Sequence, residues 1–195
     1  MKNQFVLATQ NEGKVEELQQ LLSGYPFQVM TMAQAGLNQD IEETGKSFLE
    51  NSYIKAAAVH QALGTYVMAD DSGLCIDALD GAPGIYSARY LGVSYPERFV
   101  EIWKQLQKVP RKKWTARFVC AITVFYPDGT SFQVEECVEG VITEPASGEN
   151  GFGYDPIFFL PEYSLTMAEI SSEEKNKISH RAKAVKAMLA QLKDT

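Results

Sequence analysis

Two aspartates, Asp70 and Asp71, follow the apolar run Tyr66-Val67-Met68-Ala69 and precede Ser72-Gly73. Neighbouring carboxylates repel unless a cation lies beside them or one of them keeps a proton. The pair therefore predicts a hard cation next to a polar ligand, emerging together on a turn where a buried strand stops at Ala69. Strand ends of this kind are where open α/β sheets place ligands. Asp-Asp-Ser-Gly is also ordinary turn chemistry, and a solvated loop would use the same residues. Upstream, Glu42 and Glu43 offer more hard oxygens, and either can join the aspartates around a cation. Asn51 and Lys55 stand four apart, so a helix sets both on one face.

Four other segments carry polar chemistry. Thr9-Gln10-Asn11-Glu12-Gly13-Lys14 joins a strand to a helix, where exposed backbone N–H groups and the positive helix end favour an anion. Gly13 lets a phosphate approach and Lys14 adds a full charge; equally, Asn11 can simply cap the helix. Gly81-Ala82-Pro83-Gly84 leads to Arg89, suited either to a bound phosphate or to a structural salt bridge. Gly151-Phe152-Gly153-Tyr154-Asp155 combines tight turns with ring faces on which a base could stack, although a core loop would look similar. Ser179-His180-Arg181 sets two potential cations at a helix start, where cations are unfavourable. That placement predicts an anionic or acceptor-rich ligand.

The elements that must position these residues alternate between strand and helix. Phe5–Ala8 reads as a buried strand, and apolar residues at 15, 18, 21 and 22 give a helix over 14–22, stopped by Ser23-Gly24. Ser47-Phe48-Leu49-Glu50 is a capping box opening a helix that runs to Gly64. Tyr66–Ala69 and Leu74–Ala78 read as short strands flanking the acidic turn. Ser94 to Glu97 starts another helix, with Phe99, Ile102, Trp103 and Leu106 on one face. Phe118–Tyr126 and Ser131–Val141 form a hairpin across Pro127-Asp128-Gly129, and a helix runs from His180 to Leu192. A hairpin within a βα chain implies a mixed sheet, so the fold class is α/β.

Composition narrows the function. The 195 residues are 45% hydrophobic and 22% charged, the balance of an ordinary soluble globular chain with one good core. A net charge of −7 disfavours a nucleic-acid partner, which needs a basic face. It also means that a polyanionic substrate enters beside local lysines or a divalent cation. No apolar run approaches the roughly 20 residues of a membrane span. The three cysteines, Cys75, Cys120 and Cys137, form no CxxC pair and fit reduced thiols in the cytoplasm.

Taken together and in order, these segments resemble the Ham1 family of inosine/xanthosine triphosphate pyrophosphatases. The matching stretches are Ala8-Thr9-Gln10-Asn11 with Lys14, Glu43-Thr44-Gly45 with Phe48, Glu50, Asn51, Lys55 and Ala56, and Ala69-Asp70-Asp71-Ser72-Gly73-Leu74. They continue with Gly81 to Tyr90, Gly151 to Phe158 and Ser179-His180-Arg181. The resemblance implies an elongated mixed α/β fold, a single domain over 1–195 with two lobes around a central cleft, and a homodimer. It implies Mg2+-dependent (Mn2+ as the alternative ion) hydrolysis of ITP, dITP and XTP to the monophosphate and pyrophosphate. Carried over, Asp71 is the general base and a metal ligand, with Glu42 or Glu43 and Asp70 completing the acidic group. Thr9, Gln10, Asn11, Glu12, Gly13, Lys14, Lys55 and Lys175 hold the triphosphate, with Ser72 among the substrate contacts. Phe152, Gly153, Tyr154, Asp155, His180 and Arg181 hold the purine base.

The chain departs from the family pattern at Ser52, Cys75 and Ala182, where the family commonly has alanine, an acidic residue and glycine. The Glu144–Gly148 stretch lacks an arginine often found there. The changes at 52, 75 and 182 remove no charged ligand, whereas the missing arginine alters the contacts of that loop. Two other functions fit parts of the pattern. A regulator could bind purine triphosphates without hydrolysing them, and a thiol enzyme could use Cys75, although nearby carboxylates would blunt that thiol.

Overall fold

A computed structural model describes residues 3–192. Its elements are β1 (Asn3–Leu7), α1 (Glu12–Leu22), β2 (Phe27–Thr31), α2 (Phe48–Leu63), β3 (Tyr66–Ile76), α3 (Tyr95–Leu106), β4 (Thr115–Phe125), β5 (Ser131–Ile142), β6 (Phe158–Leu160), β7 (Leu165–Thr166), α4 (Ser172–Ile178) and α5 (His180–Gln191). The strands form one open sheet in the order β2-β1-β3-β4-β5-β6-β7. β1 lies parallel to both β2 and β3, whereas β6 is antiparallel to β5 and β7. The sheet is mixed and the class is α/β, as the hairpin and the βα alternation imply.

Local chemistry sets the helix ends. Asn11 caps α1, its side chain accepting from the Lys14 N–H at 3.1 Å. Ser47 caps α2 by accepting from the Glu50 N–H, while the Glu50 carboxylate takes the N–H of Lys46 at 2.7 Å. Gly64 ends α2 with φ +62, a left-handed conformation that glycine adopts without strain. At the expected helix start, Ser94 and Glu97 form a capping box on α3.

The chain divides into two compact units. The first comprises residues 1–71, 120–136 and 181–195, and the second comprises residues 72–119 and 137–180. In the first unit, strand alternation builds two cores. Phe5, Leu7 and Met68 pack with Leu18 and Leu22 of α1 and with Val185 and Met188 of α5. Val6, Ala8, Val67 and Ala69 pack with Ala56 and Val59 of α2. The second unit has its own core, in which Leu74 and Ile76 meet Phe99, Ile102 and Leu106 of α3, with Trp114, Phe118 and Phe158.

One expectation is corrected here. No turn separates Tyr66–Ala69 from Leu74, because β3 runs unbroken through Asp70-Asp71-Ser72-Gly73 and ends at Ile76, two residues short of the expected Ala78. Ladder bonds from a neighbouring strand outweigh the local turn preference of Ser-Gly.

Candidate active site

Because Asp70 and Asp71 lie within a strand, their side chains leave opposite faces of the sheet. Asp70 follows Met68 onto the face of α1 and α5, and Asp71 follows Ala69 onto the face of α2. Repulsion between the two is thus relieved by separation, and each finds its own cations.

On the first face, Asp70 Oδ2 lies 3.1 Å from Lys14 Nζ and accepts from Arg181 Nη2 at 3.2 Å. The Arg181 guanidinium also donates to Glu17 on α1. Arg181 is 1% exposed and Asp70 equally buried. Burial alone would push the Asp70 carboxyl upward, but Lys14, Arg181 and Lys55 hold it well below the usual carboxylate range. Burial likewise opposes the Arg181 charge, which Asp70 and Glu17 more than restore. The neighbouring Cys120 thiol, wholly buried and close to Asp70, is pushed up to about 12 and is chemically inert.

On the second face, Asn51 Nδ2 donates to Asp71 Oδ2 at 3.1 Å, and Lys55 Nζ lies 3.4 Å from Asp71 Oδ1. Lys55 also donates to Glu43 Oε1 at 2.6 Å. Burial, reinforced by Glu43, raises the Asp71 carboxyl above its ordinary value against the pull of Lys55, Lys14 and the Asn51 amide. Burial would depress the Lys55 ammonium, yet Asp71, Asp70 and Glu43 together hold it above its usual value. The result is a carboxylate inclined to accept a proton beside a permanently charged lysine. Glu43 and Asp71 also present hard oxygens to one cationic centre. Glu42, by contrast, is exposed. Among the described residues, no three histidines, cysteines or carboxylates converge on a point that would hold a metal unaided.

At the start of α1, Thr9 Oγ1 accepts from the Asn11 N–H at 3.2 Å and the Gln10 amide donates to Gln39 at 3.1 Å. Glu12 and Gly13 occupy the first helical positions. Ser52, one of the departures from the family pattern, is buried and hydrogen-bonded to Thr123 at 2.7 Å.

The second unit gathers the remaining expected residues. Asp155 Oδ2 accepts from Lys175 Nζ at 2.6 Å and from the Phe152 N–H at 3.0 Å. The Lys175 ammonium also stands 5.2 Å from the centre of the Phe152 ring. Gly151 has φ +74, and a Cβ there would fall 2.1 Å from Asp155 Oδ2. Gly153 also takes a positive φ, of +69. Tyr154 is core: its hydroxyl donates to the Ser87 carbonyl at 3.0 Å, and burial pushes the phenol up to about 12. Phe152 keeps part of its ring at the surface. His180 is buried and stacks on Phe118, ring centres 4.8 Å apart. Ser72 is partly exposed in β3.

Sequence reasoning therefore brought Asp71, Lys55 and Glu43 together, but it set Lys175 with the triphosphate residues and Asp155 with the base, whereas the two form an ion pair with each other. It missed Glu17 as the partner of Arg181, although Glu17 stands three residues after Lys14 and so shares its helix face. It also left the amide of Asn51 without a role, although a buried asparagine inside a helix is a signal in itself.

Known proteins share this arrangement's sequence. The Ham1 family model matches residues 5–191. A dITP/XTP pyrophosphatase of Listeria monocytogenes is 49% identical over 189 residues, spanning 95% of this chain and 93% of the relative. One from Bacillus subtilis is 46% identical over 185 residues, spanning 94% and 93%. Among solved structures, the Ham1 protein of Staphylococcus aureus superposes with a TM-score of 0.85 at 39% identity, covering 96% of each chain. A HAM1 protein of Coxiella burnetii gives 0.87 at 37% identity, covering 96% and 97%. The chain belongs to the Ham1 family.

Proposed function

We propose that this chain hydrolyses dITP, XTP and ITP to the nucleoside monophosphate and pyrophosphate, clearing non-standard purines from the nucleotide pool. The observation that carries the reading is Asp71: a buried carboxylate gripped by Asn51 and facing Lys55, in a chain whose close relatives bear the name of that activity. Burial and Glu43 raise its proton affinity, as suits a base that takes a proton from water. The water attacks the α-phosphorus in line, and pyrophosphate leaves. Lys14 and Lys55 meet the triphosphate charge, and the backbone N–H groups opening α1 favour a phosphate. Phe152, partly exposed, offers its ring to the base, and a 6-oxo purine presents an acceptor to a donor such as Arg181 or His180, where adenine presents a donor.

The donor set also fits Mg2+, with Mn2+ as the alternative. Such ions are commonly held by one or two carboxylates together with substrate phosphates, and Glu43 and Asp71 already share one cationic partner. When bound, the ion neutralises charge on the phosphate oxygens. The proposal extends to a homodimer in the cytoplasm. No described helix is long and apolar enough to cross a membrane, and light scattering would test the dimer.

The decisive measurement is product release from a panel of nucleoside triphosphates with and without Mg2+. Pyrophosphate from dITP and XTP, and little from ATP or GTP, is the expected result. Orthophosphate in its place would move the attack to the γ-phosphorus. Tight dITP binding without turnover would favour the regulator.

A further inference from the structure

We propose that Asn51 is a positioning residue that fixes the plane of the Asp71 carboxylate, and that the backbone N–H of Gly45 holds it in place. The proposal rests on the reading of Asp71 as the base.

Asn51 is fully buried in the first turns of α2. Asparagine is a poor helix former, and a buried amide is costly unless its hydrogen bonds are made. Its orientation is unambiguous. The Gly45 N–H is a donor only and lies 2.8 Å from Oδ1, so the carbonyl end must face Gly45. The amide nitrogen is thereby turned to Asp71 Oδ2, 3.1 Å away. One turn later on the same helix, Lys55 faces the other oxygen, Oδ1, at 3.4 Å. The two side chains hold one carboxylate oxygen each, which stops the group from rotating.

The loop before α2 supports both grips. Glu43 holds Lys55 at 2.6 Å, and Gly45, two residues on, holds Asn51. That approach needs a glycine: a Cβ at 45 would lie 2.7 Å from Asn51 Oδ1 and 2.7 Å from the Glu50 Cβ. Segment 43–45 therefore reaches Asp71 through two side chains of α2, Asn51 and Lys55.

The test is steady-state pyrophosphate release from dITP by Asn51→Ala, Gly45→Ala, Asp71→Asn and the Asn51→Ala/Asp71→Asn double variant, with folding checked by circular dichroism. Loss of one hydrogen bond to a charged group lowers kcat of Asn51→Ala by about tenfold to a hundredfold, with KM within about threefold. Gly45→Ala, which displaces the amide without removing it, lowers kcat by about threefold to tenfold. The double variant is no slower than Asp71→Asn alone, because Asn51 acts through Asp71. A folded Asn51→Ala with normal kcat, a change confined to KM, or losses that multiply in the double variant would overturn the proposal. Where Asn51→Ala fails to fold, a folded Gly45→Ala with normal kcat does the same. Normal turnover in Asp71→Asn would instead sink the assignment of the base.

Discussion

Lys175 with Asp155 in one unit and Lys55 with Asp71 in the other are both buried lysine–aspartate pairs, and their surroundings differ. Lys175 and Asp155 meet at 2.6 Å with side chains 6% and 4% exposed; one charge answers one charge, and the spare acceptor capacity takes the Phe152 N–H. Around Lys55, the nearest ion pair is with Glu43, while Asp71 stands farther off at 3.4 Å. Across β3, Asp70 and Glu17 meet Lys14 and Arg181. A balanced pair shapes a loop. The cluster around Lys55 holds a carboxylate, Asp71, that burial pushes above its ordinary value. The same two residue types thus sit in different charge environments in the two units, and the proposed base is in the one where burial opposes the charge.

The largest expected effect tests the chemical side. Asp71→Asn preserves shape while removing the proposed base, so turnover is expected to fall by about four orders of magnitude with dITP binding retained; pyrophosphate release and equilibrium binding measure the two separately. On the architectural side, Lys175→Met takes the ammonium away from the buried Asp155 carboxylate and costs about 3–5 kcal/mol of stability by denaturant titration. Adding Asp155→Asn recovers part of that loss, since asparagine still accepts from the Phe152 N–H. A full loss in the double variant would show that the pair is more than a neutral lock. Gly151→Ala, whose Cβ would strike Asp155 Oδ2, costs about 2–3 kcal/mol and raises KM more than it lowers kcat.

The smallest effect depends on pH. Asp70 has a depressed carboxyl in the fold, so its contribution is present above the ordinary aspartate value of about 3.9 and fades as pH falls through the lower folded value. Asp70→Asn is accordingly about 2 kcal/mol less stable at neutral pH, and the gap narrows in acid. Urea unfolding at both conditions measures it, and a gap that widens in acid would contradict the ion pairing.

Much of this was legible beforehand. Capping signals at Asn11, Ser47 and Ser94 marked three helices, and Pro127-Asp128-Gly129 marked the hairpin. The spacing of Asn51 and Lys55 placed them on one face. What escaped had physical causes. Ser72-Gly73 carries turn chemistry locally, and only sheet neighbours reveal it as strand, which in turn sends Asp70 and Asp71 to opposite faces. The partners of Arg181, Asp70 and Glu17, lie 111 and 164 residues away, too far for any local pattern to show them. The short β6 and β7 carry too few residues for a period to show.

Those separations also bear on how the protein comes into being. During synthesis Asp70 emerges long before Arg181, and the guanidinium that balances it arrives only with the last helix of the fold. Loop closure over so many residues is slow and entropically costly. Until α5 docks, Asp70 lacks that ion pair and the hydrophobic face awaiting Val185 and Met188 stays uncovered. Hydrolytic competence is thus a late event on the ribosome, and a chain cut short before α5 would have the acidic pair without the support that keeps it buried.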